Sequence, residues 1–368
     1  MNVQRILSVG RKEVIHILRD PQTLFFTLFV PVLEMFLLGY AIDTNVRHIR
    51  TVVFDASGTQ ESRNLLNEFE NSQSIRIVRM VYADEEMTRA IVAGEARVGI
   101  KIPTDYSRRL EAGETAQLLV LVDGTESSVA AEASNVGNAL ALRESLERVL
   151  GVKALPVDSR PRILFNPDTR SANFFLPGLM VVMCQMMATM LAANAIVREK
   201  ETGTLEQLFM TPVRSLELVL GKTLPYMTLT ILEFCFIALL MRVFFQVPIH
   251  GPFLTLLGIF FPFVLAMLAT GLLISTRAAT KEAAGQIAMG TLLPSIFLSG
   301  YVFPIDSMPT FFQWVARCFP TTWMIDASRG VILRGASWSE LWQHAAVLWG
   351  MSAVMLVVAA ARFRKQLG

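Results

Sequence analysis

Charge is scarce in this chain. Asp, Glu, Lys and Arg make up 17% of its 368 residues, and 33 basic against 31 acidic side chains leave a net charge of only +2. Soluble domains carry about 25% charged residues, so this is not the composition of an ordinary cytosolic enzyme. The near-zero balance gives no bulk case for binding nucleic acid. Cysteine is also sparse. Cys184 and Cys235 fall inside apolar runs and Cys318 lies apart from both, which excludes a disulfide framework. The histidines, His16, His48, His250 and His344, have no metal-ligand spacing. Catalytic signatures are missing: there is no HExxH and no GxSxG. Gly221-Lys222-Thr223 ends like a phosphate-binding loop, but Leu216 stands where that loop needs glycine, and Leu216 to Leu220 is no glycine-rich cradle. The GKT reads as coincidence, and the chain as non-catalytic.

What the chain has in quantity is apolar surface: 53% hydrophobic residues, 24 Phe and 18 Met, with a mean hydropathy of +0.47. A span needs about 20 apolar residues. The pattern predicts six transmembrane helices, at Pro21–Ile42, Phe174–Val197, Thr223–Met241, Pro252–Thr276, Ala283–Phe303 and Leu341–Ala361. The first is not followed by a small-residue cleavage site and is read as retained. The expected fold is an α-helical polytopic membrane protein with an inserted extracytoplasmic α/β domain. Basic residues set the orientation. Arg5, Arg11, Lys12, Arg19, Arg198, Lys200, Arg214, Lys222, Arg277, Lys281, Arg362, Arg364 and Lys365 outweigh Arg242, Arg317, Arg329 and Arg334 on the other side. Both termini are therefore expected in the cytoplasm, with a cytosolic tail at 362–368. The tryptophans, at 314, 323, 338, 342 and 349, cluster toward the expected outer interface.

Residues 43–173 are polar enough to fold in water. Strand signals at 51–54, 75–81, 97–102 and 117–122 alternate with helical ones, including 60–70, 84–93 and 127–150. Such alternation predicts a compact α/β domain, with sheet order left open. Before the first span, residues 1–20 read as an amphipathic helix in the inner interface. Ile6, Leu7, Val14, Ile15 and Leu18 interleave there with Arg5, Arg11, Lys12 and Glu13.

The second and third spans are joined by a cytosolic loop within 198–222. It opens R-E-K-E-T-G-T-L-E-Q-L-F-M-T-P at 198–212. Gly203 permits a turn and Thr204 can cap a short helix whose apolar face holds Leu205, Leu208 and Phe209. Such a helix suits a groove on a soluble partner. This run, F-N-P at 165–167, F-F-L-P-G-L at 174–179 and S-G-Y-V-F-P-I-D-S-M-P at 299–309 resemble the membrane subunits of ABC-2 type export transporters, over nearly the whole chain. The branch it looks most similar to is bacterial, with a large extracytoplasmic domain after the first span. The resemblance implies a bacterial inner-membrane permease that pairs with a second permease subunit, a homodimer or a close paralogue. It also implies a separate ABC ATPase carrying ATP and Mg, and in this branch often a periplasmic adaptor protein. It makes the loop the coupling helix, with Glu199, Glu201, Gly203, Thr204, Leu205, Glu206 and Leu208 as ATPase-coupling residues.

Glu34 and Glu233 are the carboxylates inside expected spans. Each must face protein, a polar cavity or a cation, or stay protonated. They are candidates for a transport route, with a plain interhelical hydrogen bond as the alternative. The methionines of 180–190 read as lipid-facing bulk, with an adaptable cargo surface as the alternative. Together these readings point to an ATP-driven exporter of hydrophobic or amphiphilic compounds, embedded among membrane lipids. The alternative is a non-transporting anchor or sensor whose outer domain binds a ligand.

Overall fold

Two helices open the chain, α1 at Val3–Leu18 and α2 at Pro21–Ala41. Arg19 and Asp20 separate them, and Pro21 starts α2 where a missing N–H costs nothing. The computed structural model describes residues 3–41, 48–125, 127–150, 164–203 and 215–365. By internal contacts the chain divides into two units. One joins Met1–Ile42 to Ile163–Gly368, and the other is Asp43–Arg162.

The inserted unit runs β1 (Ile49–Asp55), α3 (Gln60–Asn71), β2 (Ile75–Met80), α4 (Asp84–Val92), β3 (Val98–Ile102), α5 (Tyr106–Glu111), β4 (Leu119–Val122) and α6 (Ser127–Leu150). Local chemistry sets several boundaries. Thr59 and Ser62 close a reciprocal cap at the start of α3, each hydroxyl accepting from the other's backbone N–H. Asp84, Glu85 and Glu86 put negative charge on the first turn of α4. The sheet order is β2-β1-β3-β4, with β1 parallel to β2 and β3, and β4 antiparallel to β3. Alternation along β1 divides the core. Val53 joins Leu65, Phe69, Ile100 and Val129 on the face covered by α3 and α6, while Val52 meets Met87 and Ala90 of α4 on the other.

The other unit continues with α7 (Ser171–Glu201), α8 (Ser215–Phe244), α9 (Phe253–Arg277) and α10 (Lys281–Leu298). A 3₁₀ turn (Ile305–Ser307), α11 (Thr310–Arg317), α12 (Pro320–Arg329), a π turn (Gly330–Arg334) and α13 (Trp338–Lys365) complete it. Helix α7 is central and packs on α8, α9, α10 and α12. It touches α9 nearly backbone to backbone: a Cβ on Gly271 would lie 2.3 Å from the Thr189 carbonyl oxygen. Phe234 of α8 stacks on Phe260 of α9 at 3.9 Å between ring centres.

The expectation of six spans is corrected to four. Among the described residues, the helices long and apolar enough to cross a membrane are Ser171–Glu201, Leu220–Phe244, Phe253–Arg277 and Trp338–Arg362. In α2, a helix of 21 residues, the apolar stretch found among the described residues is Phe29–Tyr40. The segment expected at 283–303 is interrupted. Its helix α10 opens on Lys281 and Glu282, carries Gln286, and stops at Leu298 before Gly300, whose φ is +81°. At 1.5 Å per residue the 18 residues of α10 reach about 27 Å, and the chain then folds into the short helices α11 and α12. Composition windows register apolar content but not the turn at Gly300.

The methionine reading is also corrected. Met180, Met183 and Met187 are buried against neighbouring helices rather than turned to lipid, because α7 sits in the middle of the unit.

A buried ion network as candidate functional site

Helix α1 meets α8 through two glycines. A Cβ on Gly10 would stand 3.3 Å from the Gly221 carbonyl oxygen, and one on Gly221 would stand 2.7 Å from the Val9 Cβ. This approach brings Glu13 of α1 against Lys222, the residue after Gly221. Their side chains are 1% and 2% exposed. Lys222 Nζ lies 3.1 Å from Glu13 Oε1 and 2.9 Å from Glu199 Oε1 of α7, and it donates to the Ala195 carbonyl at 3.0 Å. Tyr226, one turn further along α8, donates to Glu13 Oε2 at 2.7 Å. Arg198 reaches the same oxygen at 3.3 Å, and Lys12 reaches Glu199 at 3.3 Å. Burial opposes ionisation of Glu13. Lys222, the hydrogen bonds from Tyr226 and Lys222, and the charge of Arg198 outweigh it and hold the carboxyl below the ordinary glutamate range.

The network ties α1, the end of α7 and the start of α8 into one junction, so it brackets the 204–214 loop on both sides. Further contacts fix the same region. Arg5 lies 3.7 Å from the buried Glu217 of α8. Lys200 donates to the Ser275 carbonyl of α9 at 2.7 Å, and Glu201 accepts from the Lys281 N–H at 2.9 Å. Gly203 turns the chain out of α7 with φ +67°. A buried ion pair is weak evidence for stability, but removing one partner strands a charge. The arrangement therefore holds three helices in a single register.

Of the residues picked out in the sequence, Glu199 enters this network, Glu201 binds α10 and Gly203 makes the turn. Thr204, Leu205, Glu206 and Leu208 lie outside the described residues. Glu233 is 1% exposed on α8, and neither of its carboxylate oxygens has a hydrogen-bond partner. Glu34 is half-buried on α2. A cavity of about 590 Å³ opens between α7 and α10, lined by Gln185, Met186, Thr189, Met190, Gln286 and Thr291 among others, and neither glutamate lines it. Beside it Gln185 Oε1 accepts from Thr321 at 2.6 Å and from Ser295 at 3.0 Å, joining α7, α12 and α10.

The model of the ABC-2 family transporter proteins matches residues 21–361, almost the whole chain. This chain belongs to that ABC-2 family. Among similar proteins of Escherichia coli (strain K12), the probable multidrug ABC transporter permease YbhR is 25% identical over 98% of this chain and 99% of its own length. The probable multidrug ABC transporter permease YbhS is 29% identical over 90% and 89%. The inner membrane transport permease YhhJ is 27% identical over 100% and 99%. As an ABC-2 protein the chain is a multi-pass inner-membrane permease, a non-catalytic transport subunit of the kind that works with an ATPase.

For this ABC-2 permease, sequence reasoning passed over Glu13, Lys222 and Tyr226. In the sequence Lys222 reads as part of a coincidental GKT, and Glu13 as one of the charged residues interleaved along an amphipathic interfacial helix. One signal was present: a lysine just inside the apolar run of α8 demands an anionic partner.

Proposed function

We propose that the chain is the membrane subunit of an ATP-driven exporter, and that the ion network passes ATPase motion to the spans. The supporting observation is the Glu13–Lys222–Glu199 junction. A loop flanked by a rigid, buried junction moves α1, α7 and α8 together when a partner pushes on it, whereas a slack linker would absorb the motion. Basic residues gather at this end of the helical unit, which supports placing the junction and both termini in the cytoplasm and residues 43–173 outside. The 198–222 loop is then the ATPase contact, with Leu205 and Leu208 docking. The cavity between α7 and α10, with methionines and amides side by side, suits hydrophobic or amphiphilic cargo. The relatives named as multidrug permeases favour the same reading. A second permease copy or close paralogue completes the transporter, and a periplasmic adaptor is a further candidate partner. Glu34 and Glu233 are proposed as polar points on the route that open only when the helices move.

Leu205→Asp tests the contact. Co-purification of the ATPase and ATP hydrolysis in proteoliposomes should both fall, while membrane insertion stays normal. Wild-type values for both would defeat the assignment.

A further inference from the structure

At the opposite end of the helical unit from the ion network lies a second cavity, of about 440 Å³. It takes in the F-N-P motif of 165–167, which the transport reading leaves unused. Its lining includes Asn166, Asp168, Arg170, Asn173, Gln246 and Arg334. Helix α7 begins at Ser171, α8 ends at Phe244, α9 begins at Phe253 and α13 begins at Trp338, so all four apolar helices have an end beside it. That places the cavity at the boundary between hydrocarbon and water. Trp338 and Trp342, both exposed, stand on the first turns of α13 at the same end.

The cavity is built at some cost. Among the described residues with positive φ that are not glycine, Phe165 (67°) and Gln246 (53°) line it. Strain of this kind persists where surrounding structure holds it, and it gathers at ligand sites. Asn166 fixes one wall. Its Oδ1 accepts from the Arg170 N–H at 3.1 Å and from Asn173 Nδ2 at 2.8 Å, and its Nδ2 donates to the Arg170 carbonyl at 3.0 Å. Asn173 is 6% exposed, and its Oδ1 has no hydrogen-bond partner. A buried acceptor without a protein partner is matched by a donor from water or from a bound group. Two guanidiniums supply the opposite polarity. Arg170 is only loosely paired, its Nε 3.8 Å from Asp168 Oδ2, and Arg334 gives one nitrogen to Asp326 at 3.0 Å. Guanidinium groups match phosphate oxygens in shape and charge.

We propose that this cavity binds a phosphate ester carrying a neighbouring hydroxyl or ammonium donor, with Arg170 and Arg334 on the phosphate and Asn173 Oδ1 on the donor. The chemistry is shared by phospholipid headgroups and by soluble phosphate esters. The level of the cavity, at the ends of four spans, favours the headgroup.

The test uses the full-length protein, delipidated in detergent. Phosphatidylglycerol, a diacylglycerol with the same chains, and glycerol 3-phosphate are each titrated, with melting temperature and native mass spectrometry as readouts. Phosphatidylglycerol should raise the melting temperature by several degrees and stay bound in the gas phase, while diacylglycerol should do neither. Arg170→Gln should weaken phosphatidylglycerol about tenfold, the loss expected for one charge-assisted contact, without moving the ligand-free melting temperature. Arg334→Gln gives the same reading should Arg170→Gln fail to fold. If glycerol 3-phosphate binds as tightly as the lipid, the phosphate site stands and its occupant is a soluble ester. Equal effects of diacylglycerol and phosphatidylglycerol on the wild-type protein overturn the proposal, as does full affinity in a folded Arg170→Gln variant.

Discussion

Lys222 on α8 and Glu13 on α1 meet 3.1 Å apart with both side chains almost wholly withdrawn from solvent, though 209 positions separate them in the chain. Lys222→Met leaves Glu13 and Glu199 buried without their shared cation. It should destabilise the helical unit by about 3–5 kcal/mol, read as a lower melting temperature of the detergent-solubilised protein. Replacing both charges, Glu13→Gln with Lys222→Met, should recover part of that loss. A double variant that melts at the sum of the two single losses would mean the pair is not coupled.

The α1–α8 contact depends on Gly221. Gly221→Ala places a Cβ 2.7 Å from the Val9 Cβ and 3.0 Å from the Ile6 carbonyl oxygen. Overpacking of this kind costs about 1–3 kcal/mol. A cysteine pair introduced at Gln4 and Leu220 and probed with a short crosslinker should react more slowly in the Gly221→Ala background. An unchanged rate would indicate that α1 tolerates the shift.

Acid should loosen the same junction. The folded Glu13 carboxyl titrates below its ordinary range, with burial opposing and Lys222, Tyr226 and Arg198 prevailing. Its contribution is therefore complete above the ordinary glutamate range and is lost as pH falls through the lower folded value. Melting temperature followed downward from neutral pH should drop more steeply in wild type than in Glu13→Gln. Parallel curves would remove Glu13 from the pH response.

The inserted unit has its own core, and Ile100 of β3 is fully buried in it. Residues 48–165 expressed alone should melt cooperatively, and Ile100→Ala should cost about 2–5 kcal/mol, measured by urea unfolding. A broad, non-cooperative transition in the unsubstituted fragment would show that the unit depends on the spans.

Much of this unit was legible because its signals are local. The Thr59 cap, the acidic start of α4 and the alternation of Val52 and Val53 each lie within a few residues of what they decide. Sheet order was not legible, since pairing β1 with β3 depends on contacts across α3, β2 and α4. In the helical unit, apolar content located α7, α8, α9 and α13. It overcounted at α10, where the turn at Gly300 ends what composition alone extends, and in α2 the described apolar stretch is Phe29–Tyr40. The ion network was hidden for a related reason. Glu13 looks solvated on its own helix and becomes buried only when Gly10 and Gly221 let α8 approach, and a sequence without its fold does not display that contact.

The most direct test of the coupling role is ATP hydrolysis by the permease–ATPase complex in proteoliposomes, comparing wild type, Lys222→Glu, Glu13→Lys and the exchanged pair. Both single variants should bind the ATPase yet lose most of the permease-dependent hydrolysis, and the exchanged pair should regain a substantial part of it. Single variants that insert, bind the ATPase and hydrolyse at the wild-type rate would contradict transmission through the Glu13–Lys222 junction.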